Sequence, residues 1–124
     1  MAHTPTVLIA DADPAIRKML VEVLALEGYP TETATNGQEA LALLARSAPR
    51  LILLDLLMPV LDGRGVVEQL EADAGARARH KVVLVSAFSN LEGASDLVVD
   101  GKLVKPFTVP QLLSVLEPLA SELS

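Results

Sequence analysis

Short apolar runs alternate along this chain with stretches whose apolar residues recur every third or fourth position, and that alternation predicts β and α units in turn. Val7 to Ala10 reads as a first strand. Asp13 then offers an N-cap with Pro14 in the first helical position, and Ile16, Met19, Leu20, Val23 and Leu26 keep helical spacing until Gly28 stops it. A short second strand is expected near Thr31 to Thr35. Asn36-Gly37-Gln38-Glu39 supplies an N-cap with an acid three residues on, opening a helix through about Ser47 with Leu41 and Leu44 inward. Leu51-Ile52-Leu53-Leu54 contains no polar residue, so the third strand, ending at Asp55, has both faces covered, as in a parallel sheet between helices. Next come a helix from about Gly65 to Ala72, a fourth strand over Lys81 to Ser86, and a weak helix from Asn90 to Leu97 interrupted by Gly93. A fifth strand over Lys102 to Val104 precedes Thr108-Val109-Pro110-Gln111, which caps a last helix with Leu112, Val115, Leu116 and Leu119 inward. Five β-α units with short connections predict an α/β doubly wound parallel sheet, because parallel neighbours need right-handed helical crossovers.

Composition narrows the class of protein. With 124 residues, the chain has the size of one domain and no room for a second core, so 1–124 is expected to be a single domain with its core over about 6–121. Half of it is apolar (51%) but only 2% is aromatic, so the core must be aliphatic. A formal net charge of −6 without a basic patch argues against direct binding to nucleic acid or to an anionic membrane. The absence of cysteine excludes disulfides and thiolate metal sites and fits a reducing compartment. Met1-Ala2-His3-Thr4-Pro5 lacks the features of a signal peptide and no apolar run approaches membrane-spanning length, so a soluble cytoplasmic protein is expected.

The chemistry gathers at the strand ends. In an open parallel sheet the ligand crevice lies outside the carboxyl ends of the strands. Asp11 and Asp13 follow the first strand, Asp55 the third, Ser86 closes the fourth and Lys105 follows the fifth, so one pocket is expected to collect them. His3 and His80 are isolated, in a tail and a loop, and are not expected to bind metal or catalyse; Arg46, Arg50, Arg77 and Arg79 are scattered and read as surface. No Gly-rich phosphate loop is present.

Asp55 through Met58-Pro59 to Asp62-Gly63, then Ser86-Ala87, then Lys105-Pro106-Phe107, in this order and spacing, resemble the receiver domain of bacterial response regulators over essentially the whole chain. The resemblance implies a three-layer flavodoxin-like fold with strand order 2-1-3-4-5, a cis Lys105–Pro106 bond, and signalling rather than enzymatic activity. It also implies a phosphoryl group accepted on Asp55 from a sensor histidine kinase or phosphotransfer protein, with Lys105 as its ionic partner and Ser86 as the switching hydroxyl. Mg²⁺ is the implied cofactor, held by Asp11, Asp55 and the backbone carbonyl of Leu57. The downstream protein target is not legible.

Two positions depart from the pattern. Receivers usually carry two adjacent acids after the first strand, and here they align with Asp11 and Ala12, so one carboxylate oxygen is missing from a site for a hard cation and weak Mg²⁺ binding is expected. Asp13 either fills that gap or serves as the N-cap. Lys102 stands where the family usually has an aromatic residue, and the stretch from Ser86 to Lys105 is about three residues short, close to one helical turn. An aromatic switch is therefore not available, and the fourth of the expected helices should be short. These departures leave open a degenerate receiver that works by protein interaction without phosphorylation. Asp11-Ala12-Asp13 is also similar to the nucleophile motif of haloacid-dehalogenase-type phosphatases, although Ala15 stands where that family usually has Thr or Val.

Overall fold

The computed structural model describes residues 4–123. Five parallel strands, β1 (Thr6–Ala10), β2 (Thr31–Ala34), β3 (Arg50–Leu54), β4 (Lys81–Ala87) and β5 (Gly101–Lys105), form one sheet in the order β2-β1-β3-β4-β5. This is the expected flavodoxin-like order, with the sequence of pairing reversing beside β1. Registers place Ala10 opposite Leu54 and Leu54 opposite Leu84, so Asp11 and Asp55 leave the sheet side by side.

Both faces of the sheet are covered, as the unbroken apolar strands require. Alternate residues Val7, Ile9, Leu51, Leu53, Val83 and Val85 pack on α1 (Pro14–Leu26) and α6 (Val109–Leu123) through Leu20, Leu24, Leu112 and Leu116. The other phase, Leu8, Ile52, Leu54, Val82 and Leu84, packs on α2 (Gly37–Leu44) and α3 (Gly63–Glu71) through Ala40, Leu44, Val66 and Leu70. These strand residues are essentially inaccessible to solvent.

Helix starts follow the expected chemistry. Asp13 accepts from the Ala15 amide at 2.9 Å with Pro14 opening α1, and Asn36 accepts from Glu39 N at 2.8 Å at the start of α2. At α6, Thr108 and Gln111 exchange side-chain to backbone bonds of 3.2 and 2.9 Å, a complete capping box. Gly28, with φ of 85°, takes the left-handed turn that ends α1.

Differences from expectation are local. α2 stops at Leu44 rather than near Ser47, and α3 starts at Gly63, two residues early, because Asp62 accepts from Gly65 N at 2.8 Å. A short helix, α4 (Ala74–Arg79), was not expected; it buries no residue fully, so it carries no periodic apolar stripe to betray it. The weak helix appears as α5 (Phe88–Glu92), followed by turns. The Lys105–Pro106 bond is cis.

Candidate functional site

Lys105 carries the site. Its ammonium reaches back over the end of β4 and donates to Asp11 Oδ2 at 2.7 Å and to Asp55 Oδ2 at 2.9 Å. Both acid side chains are about nine-tenths or more buried, at 4% and 10% exposure, while the lysine is 22% exposed. Burial pulls the Lys105 pKa down, but the hydrogen bonds it donates to the two carboxylates outweigh it and hold the ammonium above its ordinary value. The second Asp55 oxygen, Oδ1, accepts from Ser86 Oγ at 3.0 Å and from Leu57 N at 3.1 Å. Asp11 Oδ1 accepts from Asp13 N at 2.9 Å, and the Asp11 carbonyl accepts from Arg17 Nη1 at 2.6 Å.

The expected pocket therefore forms from Asp11, Asp55, Ser86 and Lys105, each delivered by the end of a different strand. Asp13 lies at its edge, exposed, with Oδ1 held by its own helix, and Ala12 is exposed and offers no side-chain oxygen. Two carboxylates share one ammonium, so the cluster has one negative charge in excess, which suits a hard cation. The oxygens it can offer are those of Asp11, Asp55 and the Leu57 carbonyl. Among the described residues no cluster of three metal-ligating side chains occurs, so the set fits a divalent ion through two side chains and not three.

The loop after Asp55 is tightly held. Gly63 N donates to the Leu56 carbonyl at 3.1 Å, and a Cβ at Gly63 would fall on the Asp55 carbonyl oxygen and on Leu56 Cα. Val60 has φ of 70°, a left-handed conformation that costs a β-branched residue about 1–2 kcal/mol. Leu57, Val60 and Phe88, all mostly exposed, make the rim apolar.

Arg64 gave no signal in the sequence, yet it ties α3 to the turns after α5. Its guanidinium grips Asp96 in a two-bond fork, 2.8 Å each, and donates to the Gly93 carbonyl at 3.1 Å. The fork holds the Asp96 carboxyl down at about 2. Only its partner, 32 residues away, gives Arg64 a meaning. Lys102 is exposed on the edge strand β5.

His80 lies in the segment between α4 and β4, as expected, but it is buried and bonded rather than isolated. It is 1% exposed, continues the phase of Val82 and Leu84, and accepts the Arg50 amide on Nδ1 at 2.9 Å. Burial first, then the guanidiniums of Arg79, Arg50 and Arg77, push its pKa down to about 4, so it is neutral and structural. Arg50 and Arg77 are likewise not loose surface charges, because they pair with Glu32 and Asp100 at 2.8 and 3.1 Å. His3 lies outside the described residues.

Residues 7–117 match the family of the response regulator receiver domain. The response regulator MprA of Mycolicibacterium vanbaalenii is 34% identical over 113 residues, covering 91% of this chain and 49% of that protein. The chain thus spans about half the length of the curated relatives it matches. Among solved structures, the response regulator TrrA of Thermotoga maritima in complex with Mg²⁺-BeF is 31% identical with a TM-score of 0.82, covering 93% of this chain and 98% of that one. The signal receiver domain of a histidine kinase from Syntrophus aciditrophicus is 28% identical with a TM-score of 0.87, covering 97% and 92%.

Proposed function

Because the chain belongs to the response regulator receiver family, we propose that it accepts a phosphoryl group on Asp55 from a phosphohistidine of a sensor histidine kinase or phosphotransfer protein, and signals through altered protein contacts. The observation that carries this reading is the grip on Asp55: one oxygen on Lys105, the other on Ser86, in a buried strand-end pocket. In the transfer an Asp55 oxygen attacks phosphorus, the bond to the donor imidazole nitrogen breaks, and the nitrogen keeps the electron pair. Lys105 passes from carboxylate to phosphoryl oxygen. Ser86 trades its bond to Asp55 for one to the new group and draws the start of α5 with it.

Mg²⁺, held by Asp11, Asp55 and the Leu57 carbonyl with Asp13 as a further candidate, would neutralise charge on the transferred oxygens. We read its binding as weak because Ala12 supplies no oxygen. The setting in this reading is cytoplasmic, with neither nucleic acid nor membrane as a direct partner.

Incubation with acetyl phosphate and Mg²⁺, followed by mass mapping, tests the proposal. A phosphoryl adduct on Asp55 is expected. A second reading, a receiver that acts by contact alone, is favoured by the exposed Ala12; absence of any adduct with every donor would select it. An adduct on Asp11 would instead point to phosphatase-type chemistry.

A further inference from the structure

Helix α5 is joined to the acceptor pocket without a loop. Ser86 lies in β4, and Ala87, the last residue of that strand, is followed at once by Phe88, the first of α5. A displacement of Ser86 passes directly into the helix, which at five residues is a stiff rod about 7.5 Å long. Little else holds that rod. Ala87 gives its amino end no side-chain cap, Leu91 is its one buried residue, and Phe88 is mostly exposed. On β5, Lys102 and Val104 share a groove with Phe88 and Leu91 and are themselves exposed.

Arg64 supplies the hold at the other end. Its fork to Asp96 and its bond to the Gly93 carbonyl catch the chain just beyond α5. Beside them lies a cavity of about 210 Å³, walled by Leu56 and Leu57 of the acceptor loop and by Ser89 and Asn90 of α5, so the helix has room to shift. The side that carries Arg64 has none, because the neighbouring Gly63 lies with its backbone against Asp55 and Leu56. The fork thus ties a poorly anchored helix to a fixed wall. Its two donors share one plane, and hydrogen bonds weaken steeply as they lengthen or bend. It fits α5 in the place set by the bond between Ser86 and Asp55, and fits any other place less well.

We propose that Arg64 is a positioning residue that latches α5 in its resting place and thereby opposes the phosphorylated form, acting through Ser86 and not by touching Asp55. The proposal rests on the reading of Asp55 as phosphoacceptor. By linkage, whatever the latch contributes to the resting form alone is subtracted from the affinity for a phosphoryl group. Arg64 and Asp96 are 36% and 66% exposed, and exposed pairs contribute little, so breaking the latch should raise that affinity about two- to fivefold.

Beryllium fluoride, a tetrahedral stand-in for a phosphoryl group on a carboxylate, tests this when titrated into the full chain at saturating Mg²⁺ and followed by amide ¹H–¹⁵N spectra. Arg64→Met and Asp96→Asn should each bind it about two- to fivefold more tightly than the parent, and the double variant no more tightly than either, since all three lose one interaction. Arg64→Lys keeps the charge without the fork and should fall between parent and Arg64→Met. Without beryllium fluoride, amide exchange from Gly93 to Asp96 should quicken in Arg64→Met. Should Arg64→Met not fold, Asp96→Asn, at a mostly exposed position, carries the test. Equal or weaker binding by the single variants, or gains that add in the double variant, overturns the latch while the acceptor reading stands. A parent chain that does not bind beryllium fluoride at all overturns the acceptor reading and the latch with it.

Discussion

The two ends of this sheet solve the problem of buried charge in opposite ways. At the carboxyl end two acids converge on one lysine, and Asp11, Asp55, Ser86 and Lys105 hydrogen-bond one another or the adjacent backbone. At the amino end guanidiniums surround a histidine that avoids charge altogether by staying neutral. The first end holds its ions in place with an excess negative charge that incoming cations can use. The second ties strand starts together: Arg50 N binds His80, and Asp100 accepts from both Val82 N and Arg77. The candidate site and the anchoring contacts thus occupy separate poles, and changes at one should leave the other's readout alone.

The largest effect expected is the loss of all phosphoryl incorporation in Asp55→Asn, read by intact mass after acetyl phosphate treatment. Equal loss of labelling in a folded His80 variant would break the separation of the poles. Next comes the pH dependence of the anchoring end. His80 has a folded pKa of about 4 against an ordinary 6.5, so the unfolded chain takes up the proton more readily. Its contribution is complete above pH 6.5 and is lost as pH falls toward 4, by at most about 3 kcal/mol. Urea midpoints across that range measure it, and a flat profile would refute the assignment.

Ala12→Asp sharpens the other pole. Supplying the missing carboxylate should strengthen Mg²⁺ binding by about 10 to 100-fold, the loss typical of disturbing even the groups around a metal's ligands. Labelling should speed up, and the metal-free variant should be less stable at neutral pH because a third acid joins Asp11 and Asp55. Calorimetric titration of both proteins decides it; equal affinities would mean that Asp13 already fills the gap. The smallest effect is expected from Val60→Gly, which relieves the left-handed valine and should raise stability by about 1 kcal/mol without changing labelling of Asp55. A lower urea midpoint would show that Val60 makes contacts worth more than its strain.

The carboxyl pole was legible because its residues stand directly after apolar strands, where position along the chain fixes position in the fold. Asp13 and Thr108 were equally readable as caps, since capping is a local matter of three or four residues. The amino pole was not. His80, Arg50 and Arg77 look like isolated polar residues until distant partners at Glu32 and Asp100 are brought to them by strand pairing. One signal for His80 lay in its phase, two residues before Val82 and four before Leu84. α4 escaped because Ala74-Gly75-Ala76 has no apolar stripe, although Asp73 is a recognisable N-cap, accepting from Ala76 N. Arg64 escaped for the reason that His80 did: its partner is far along the chain.

Gly63 has a bearing on how the molecule tolerates change. Its missing side chain lets helix α3 begin with its backbone against that of Asp55 and Leu56, with no flexible group between them. A side chain can rotate out of the way of an added methyl, but a carbonyl oxygen at a strand end cannot. No replacement at this position is conservative. Alanine, the mildest by size, would push the loop after Asp55 away from its helix as surely as a larger residue, so a mutational scan for folding should find Gly63 intolerant although it carries no functional group.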